Sequence, residues 1–482
     1  MTISPQARTR KRLRGFILVW TFVTLVMGFA TFIAIYFAYR PAVALGASES
    51  VALPPQDVGE VVLVQPSITP ADTATPTATT EASSTPEEAN EEESQATLVA
   101  QSLPESTPTP EPTIPPAEYT EFEAGIQVQY SLDFNPENQD GFYRSVAEDL
   151  GLPWVKQQVR WEDFEREQDQ VDYAVLDFVM PSAEKFGLKM ALSIVTAPDW
   201  ARQPGVNTDR EGPPADYEEY VEFVTGIVNR YPGQIGAIEV WNEQNLDREW
   251  TSTNGLSASD YVELLRQTYT AVKAIDPGIL IISGALSQTG IDDGVMAIDD
   301  YRYLEQMISA GVLDVADCIG SHTNGFNVAP SYTYNEIPND PTARFRGPYD
   351  NPHHSWSFRS TIEGYRNRIV AANYDTPICV TEFGWPVGED LEGVPEGFDF
   401  ALDNTLEEQA QWIPEALSMM DEYGWVRLGI IWNFNYAPQA GWSPDNDNVP
   451  YSLIGPNFSF RPAYDAVRSW QSAYNQRMQG SE

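Results

Sequence analysis

Cysteine, histidine and basic side chains are all scarce in this chain. Two cysteines, Cys318 and Cys379, and three histidines, His322, His353 and His354, occur in 482 residues. No C-x-x-C pair is present, so the spacing offers neither a zinc ribbon nor a dithiol redox centre. The histidines form no recognisable zinc motif. No metal and no cofactor is therefore expected. Both cysteines sit in apolar, strand-like runs and read as buried free thiols rather than a disulfide. Lysine and arginine number 28 against 70 acidic residues, for a net charge of −42. Phosphate binding requires clustered cations, so nucleic acid is excluded as a partner.

What is present changes along the chain. Residues 1–14 carry Arg8, Arg10, Lys11, Arg12 and Arg14, a basic segment expected in the cytoplasm. Residues 15–39 are apolar and uncharged, long enough for one transmembrane helix acting as a signal anchor. A cleaved signal peptide is the competing reading, with Ala42-Val43-Ala44 as its site. Residues 40–118 are rich in Thr, Pro, Ser and Glu and cannot bury enough apolar surface to fold. They read as a disordered stalk that holds the remainder, 119–482, outside the cell membrane.

From residue 119 short apolar runs alternate with helical periodicity. Strands are expected at Ile126–Tyr130, Trp154–Trp161, Leu188–Val195, Ile235–Val240, Ile279–Ser283, Cys318–His322, Pro377–Glu382 and Val426–Asn433. Tyr231-Pro232-Gly233 and Asp276-Pro277-Gly278 punctuate helix ends, and Thr405 with Glu408 reads as a capping box. Eight strands alternating with helices indicate an α/β fold, a (β/α)₈ TIM barrel, whose sites lie at the C-terminal strand ends.

Two of those ends carry the same design. Ile238-Glu239-Val240-Trp241-Asn242-Glu243 closes the fourth strand, and Ile378-Cys379-Val380-Thr381-Glu382-Phe383-Gly384-Trp385 closes the seventh. Each is an apolar run ending in a glutamate beside an aromatic. A pair of carboxylates can protonate a leaving oxygen and attack or hydrate an anomeric carbon, and indoles can cover an apolar sugar face. Glu239, inside the fourth strand, is expected to be a hydrogen-bonded barrel residue. Trp200 and Trp385, each near a strand end, are candidate sugar-stacking residues.

Over residues 122–475 the pattern resembles glycoside hydrolase clan A, the retaining (β/α)₈ glycosidases, and most resembles family 39 and family 5-like enzymes. The resemblance rests on Trp241-Asn242-Glu243 paired with Thr381-Glu382-Phe383-Gly384. It implies Glu243 as general acid/base and Glu382 as nucleophile. It implies Asn242 on the sugar 2-hydroxyl, Arg160 bonded to the nucleophile, and Trp432 as the floor of the subsite. His322 fits the sixth strand end, where many members read His-Pro-Tyr and this chain reads His322-Thr323-Asn324. The function implied is hydrolysis of a β-linked polysaccharide or oligosaccharide by double displacement. The alternatives are a transglycosylase, an inverting hydrolase, or a catalytically silent carbohydrate-binding protein of the cell envelope on the same scaffold.

Overall fold

The computed structural model describes residues 121–436 and 442–480. The expected anchor at 15–39 and stalk at 40–118 lie outside the described residues. No helix among those described is long and apolar enough to cross a membrane.

Among the described residues eight strands form the main sheet: β1 (Glu123–Gln127), β2 (Trp154–Arg160), β3 (Lys189–Val195), β4 (Ile235–Val240), β5 (Leu280–Ser283), β6 (Ile319–His322), β7 (Ile378–Phe383) and β8 (Val426–Ile431). A helix follows each: α1 (Pro136–Arg144), α2 (Ala174–Lys185), α3 (Tyr217–Arg230), α4 (Ala258–Ile275), α5 (Asp300–Ser309), α6 (Phe358–Ala371), α7 (Leu406–Tyr423) and α8 (Pro462–Gln479). The strands pair in the order β5-β4-β3-β2-β1-β8-β7-β6. Parallel bridges Ile282–Cys318 and Leu286–Ser321 close the sheet between β5 and β6. The result is the expected (β/α)₈ barrel.

Period-two alternation sorts each strand into two layers. Trp154, Ala191, Ala237, Leu280, Ile282, Cys318, Cys379, Leu428 and Ile430 fill the lumen as a cluster of their own. Neighbours of the opposite parity, such as Ile238, Val240 and Val380, join the larger core between sheet and helices. Burying each such side chain contributes roughly 1.5–3 kcal/mol. The helices start and stop where local chemistry allows. Thr405 and Glu408 form a reciprocal capping box, and Gly424 ends α7 at φ 66°.

One expectation fails here. Cys318 and Cys379 are bonded to each other as a disulfide, with Cα atoms 5.7 Å apart. Each strand taken alone shows only an apolar cysteine. Pairing β6 beside β7, with Gly320 opposite Cys379, puts both thiols in the same lumen layer.

A second departure from simple alternation matters more. On β7, Val380 pairs with Gly429 and Phe383 with Ile431, so β7 spends one residue more than β8 over this stretch. The same extra residue appears against β6, where Ser321 pairs with Val380 and His322 with Glu382. This bulge leaves Thr381 facing the lumen, turns Glu382 inward beside it, and returns Phe383 to the outer core.

Candidate active site

The C-terminal end of the barrel gathers a run of alternating charges. Lys156, on the inner face of β2, is its pivot: Nζ lies 2.9 Å from Glu239 Oε2 and 3.1 Å from Glu382 Oε1. Glu239 also accepts from Thr381 Oγ1 at 2.6 Å. Burial alone would push the Lys156 ammonium down, but Glu239 and Glu382 outweigh it and raise it. Burial would raise Glu239, yet Lys156, His322 and Thr381 hold it below the usual carboxylate range. These are direct consequences of opposite charges placed in contact away from water.

His322, at the end of β6, joins the two singled-out glutamates. Its Nδ1 lies 3.1 Å from Glu243 Oε1, and its Nε2 lies 3.6 Å from Glu382 Oε1. Burial would lower the imidazole, but the charge of Glu382 and the hydrogen bond and charge of Glu243 raise it above its ordinary value. Arg248 Nη2 donates to Glu243 Oε2 at 2.6 Å. Burial pushes Glu243 up. The His322 hydrogen bond and the Arg248 charge reverse this and keep it low.

The chain reaches Glu243 through strained backbone. Trp241 has φ 76° and Glu243 φ 46°, both unusual for bulky side chains. The strain is held by anchoring. Trp241 Nε1 donates to Glu249 O at 3.0 Å, its backbone N–H bonds Ile194 O, and the Glu243 N–H bonds Ala285 O at 2.8 Å. Strain over-determined in this way is a feature of functional sites. Asn242, between them, is buried, and its Oδ1 has no hydrogen-bond partner among the described residues.

Glu243, Glu382, Asn242 and His322 therefore come together. Two other expectations, for Arg160 and Trp385, need correction. Arg160 does not reach Glu382: it pairs with Glu162 and Glu211, each at 2.6 Å. Lys156 occupies the place assigned to it. Both residues face inward on β2, but four residues of strand span about 13 Å, so only one can meet Glu382. Trp385 is fully buried, packs against Phe358 and Trp412, and donates to Val328 O at 2.8 Å, so it is a core residue that cannot stack on a sugar. Trp200 stands edge-on to Trp161 and donates to Glu165 O at 2.7 Å, which ties it to the loop after β2.

Trp432, just past β8, packs with Tyr436, Tyr451, Phe326 and Trp356 in an aromatic cluster. Burial pushes the Tyr436 phenol up, and the Glu382 charge adds to it. Tyr451 is raised likewise by burial, then by Asp447, Glu382 and Glu243. The Tyr436 hydroxyl accepts from Gln127 Nε2 at 3.3 Å. Sequence inspection of strand ends passes over Lys156, Arg248, Tyr436 and Tyr451. For Lys156 the available signal is a lone cation at a lumen-facing position of an apolar strand.

The glutamates are 1% and 4% exposed. Two surface depressions, about 560 Å³ beside Asp216 and Arg266 and about 280 Å³ beside Asp299 and His353, lie away from them. The chemistry is assigned to the glutamates because there paired carboxyls, cations and an imidazole converge at the C-terminal ends of the barrel strands.

Solved structures share this fold. The chain is similar to a family 39 glycoside hydrolase from the gut symbiont Bacteroides cellulosilyticus WH2, with a TM-score of 0.53 and 18% identity. That match covers 74% of this chain and 64% of the other. An exo-β-1,4-mannosidase from Opitutaceae bacterium strain TAV5 matches with a TM-score of 0.50 and 16% identity, covering 74% of this chain and 60% of that one. The β-glycosidase BGL167 matches with a TM-score of 0.52 and 14% identity, covering 74% and 97%. The chain thus spans less than two thirds of the first two. No family model matches the sequence, and neither does any curated protein. What is shared is the eight-stranded barrel on which these glycoside hydrolases of clan A are built.

Proposed function

We propose that this chain is a retaining glycoside hydrolase acting on a β-linked glycan. The observation that carries the reading is the meeting of Glu243 and Glu382, from β4 and β7, on the two nitrogens of His322. In the first step a Glu382 carboxylate oxygen bonds the anomeric carbon as the glycosidic C–O bond breaks. Glu243 gives its proton to the departing oxygen. In the second step Glu243 takes a proton from water, the water oxygen bonds the anomeric carbon, and the glycosyl ester to Glu382 breaks.

Glu243 must be protonated to begin, yet Arg248 and His322 favour its carboxylate. A sugar that displaces Arg248 from Oε2 removes that cation and lets burial raise the acid. Lys156 Nζ, 3.1 Å from Glu382 Oε1, is the positive charge set beside the nucleophile. Asn242 bonds the sugar 2-hydroxyl, and Trp432 forms the floor.

The reading extends to location. The uncharged stretch at 15–39 anchors the chain, and the stalk at 40–118 carries the barrel outside the cell. The Cys318–Cys379 disulfide supports an oxidising surrounding.

The test incubates the purified protein with activated 2-fluoro-glycosides of several sugars and locates the adduct by peptide mass spectrometry. A glycosyl ester on Glu382 is expected. An adduct on another residue, or release of the inverted anomer from a turned-over substrate, overturns the assignment.

A further inference from the structure

Two adjacent acids meet two adjacent histidines away from the glutamates. Asp299 and Asp300 open α5, while His353 and His354 lie in the long connection from β6 to α6. His354 Nε2 and His353 Nε2 each stand 3.6 Å from Asp299 Oδ2, and Asp300 Oδ1 is 2.9 Å from His354 Nε2. One ligand atom from each of Asp299, His353 and His354 falls within 4.8 Å of the others. Around a tetrahedral zinc ion with bonds near 2.0–2.1 Å, ligand atoms sit roughly 3.3 Å apart. The observed spacing is that of ligands around a common centre.

The side chains are aimed and held. Asp299 Oδ1 caps α5 by accepting from the Tyr301 and Arg302 backbone N–H groups at 3.1 and 3.2 Å, which turns Oδ2 toward the histidines. That Oδ2 is buried without a hydrogen-bond partner among the described residues. His353 Nδ1 lies 2.9 Å from Ser355 Oγ. The Ser355 backbone N–H also donates to this Nδ1, at 3.3 Å, which fixes the ring and leaves Nε2 as the nitrogen facing Asp299. The His354 ring is only 8% exposed and stacks on Tyr301 at 3.5 Å.

The local charge asks for a cation. Arg302 is engaged with Asp292 and Arg368 with Glu305. Beside those two pairs, Asp299 and Asp300 place two further carboxyl groups against the two histidine rings. A depression of about 280 Å³ opens onto Asp299, His353 and His354 and gives an ion entry.

We propose that Asp299, His353 and His354 bind a divalent cation of zinc type, with Asp300 Oδ1 beside it as a fourth donor. Mixed imidazole and carboxylate donors suit zinc, cobalt or nickel over calcium or magnesium. The bound ion fastens the 323–357 connection, which follows directly on His322, to the first turn of α5.

The test strips the purified full-length protein with a chelator and titrates it with zinc chloride by calorimetry, and with cobalt chloride by visible absorption. One equivalent per chain is expected, with the absorption of a four-coordinate cobalt site and a raised melting temperature. His353→Gln, at the partly exposed position, should weaken binding more than about 100-fold, beyond the usual effect of an outer-shell partner. Asp299→Asn should do the same, and melting in chelator serves as the folding control for both. No stoichiometric binding, or equal binding by His353→Gln, overturns the proposal, since it would leave only diffuse attraction to an acidic surface. Glycosidase assays are not used, so failure here leaves the assignment of Glu243 and Glu382 untouched.

Discussion

Lys156 stands 3.1 Å from Glu382, inside a barrel lumen closed to water, and its second partner is Glu239 at 2.9 Å. The ammonium is the charge that lets two carboxylates share the lumen. Removing one member of a buried pair leaves the others uncompensated. Lys156→Met should therefore cost about 3–5 kcal/mol of stability. Urea denaturation measures it, and a loss within experimental error of zero would show that the lumen carboxylates do not depend on this cation.

Glu382→Gln should abolish turnover and leave the fold intact, because Lys156 keeps Glu239 as a partner. Glu243→Gln should behave differently. Its loss should be on the order of 10²–10⁴-fold on poor leaving groups. On aryl glycosides whose leaving group needs no proton, the loss should shrink. Steady-state kinetics across a leaving-group series separates the two glutamates, and an identical response from both would contradict the division of roles.

His322 sets a pH dependence with a definite sign. Its folded value is raised above the ordinary imidazole range. Its charge therefore adds stability that is fully present below about 6.5 and lost as pH rises through the folded value. Glu243 is lowered, so its contribution is present above the ordinary carboxylate range and lost as pH falls through the folded value. His322→Asn should remove the alkaline component and weaken the acid one, since the His322 hydrogen bond and charge help keep Glu243 low. Denaturation midpoints across pH, with an NMR titration of the three histidines, provide the readout.

The disulfide closes a 61-residue separation between Cys318 and Cys379. In the chain-entropy picture a loop of that length stabilises by roughly 4 kcal/mol. A Cys318→Ala, Cys379→Ala double variant should be less stable by an amount of that order and should still pair β6 with β7. Guanidinium melts with and without reductant test this, and insensitivity of the parent protein to reductant under unfolding conditions would count against a bonded pair.

Much of the barrel was legible because period-two runs and helix stops are local. The strand ends at Glu243 and Glu382 were legible for the same reason, each being a short apolar run closed by an acid. What was hidden depends on neighbours far away in the chain. Cys318 and Cys379 meet only when β6 and β7 pair. Lys156 lies in the middle of its strand, where inspection of ends does not look, and Arg160 drew attention because it sits at the end. Trp385 follows a glutamate as a stacking residue would, but its ring turns outward between α6 and α7, against Phe358 and Trp412. Asp299 and His353 are remote in sequence, and no short spacing announces their approach.

The extra residue in β7 acts as a phase change in the alternation of that strand. Before it, odd-numbered side chains such as Cys379 and Thr381 face the axis; at Glu382 the count is reset. A designer who transplanted Val380-Thr381-Glu382-Phe383 onto an unbulged strand would send the carboxylate into the greasy layer beneath the helices. Deleting Thr381 from the native chain would restore plain alternation with Glu382 still facing the axis, and would cost Glu239 the hydroxyl that donates to it.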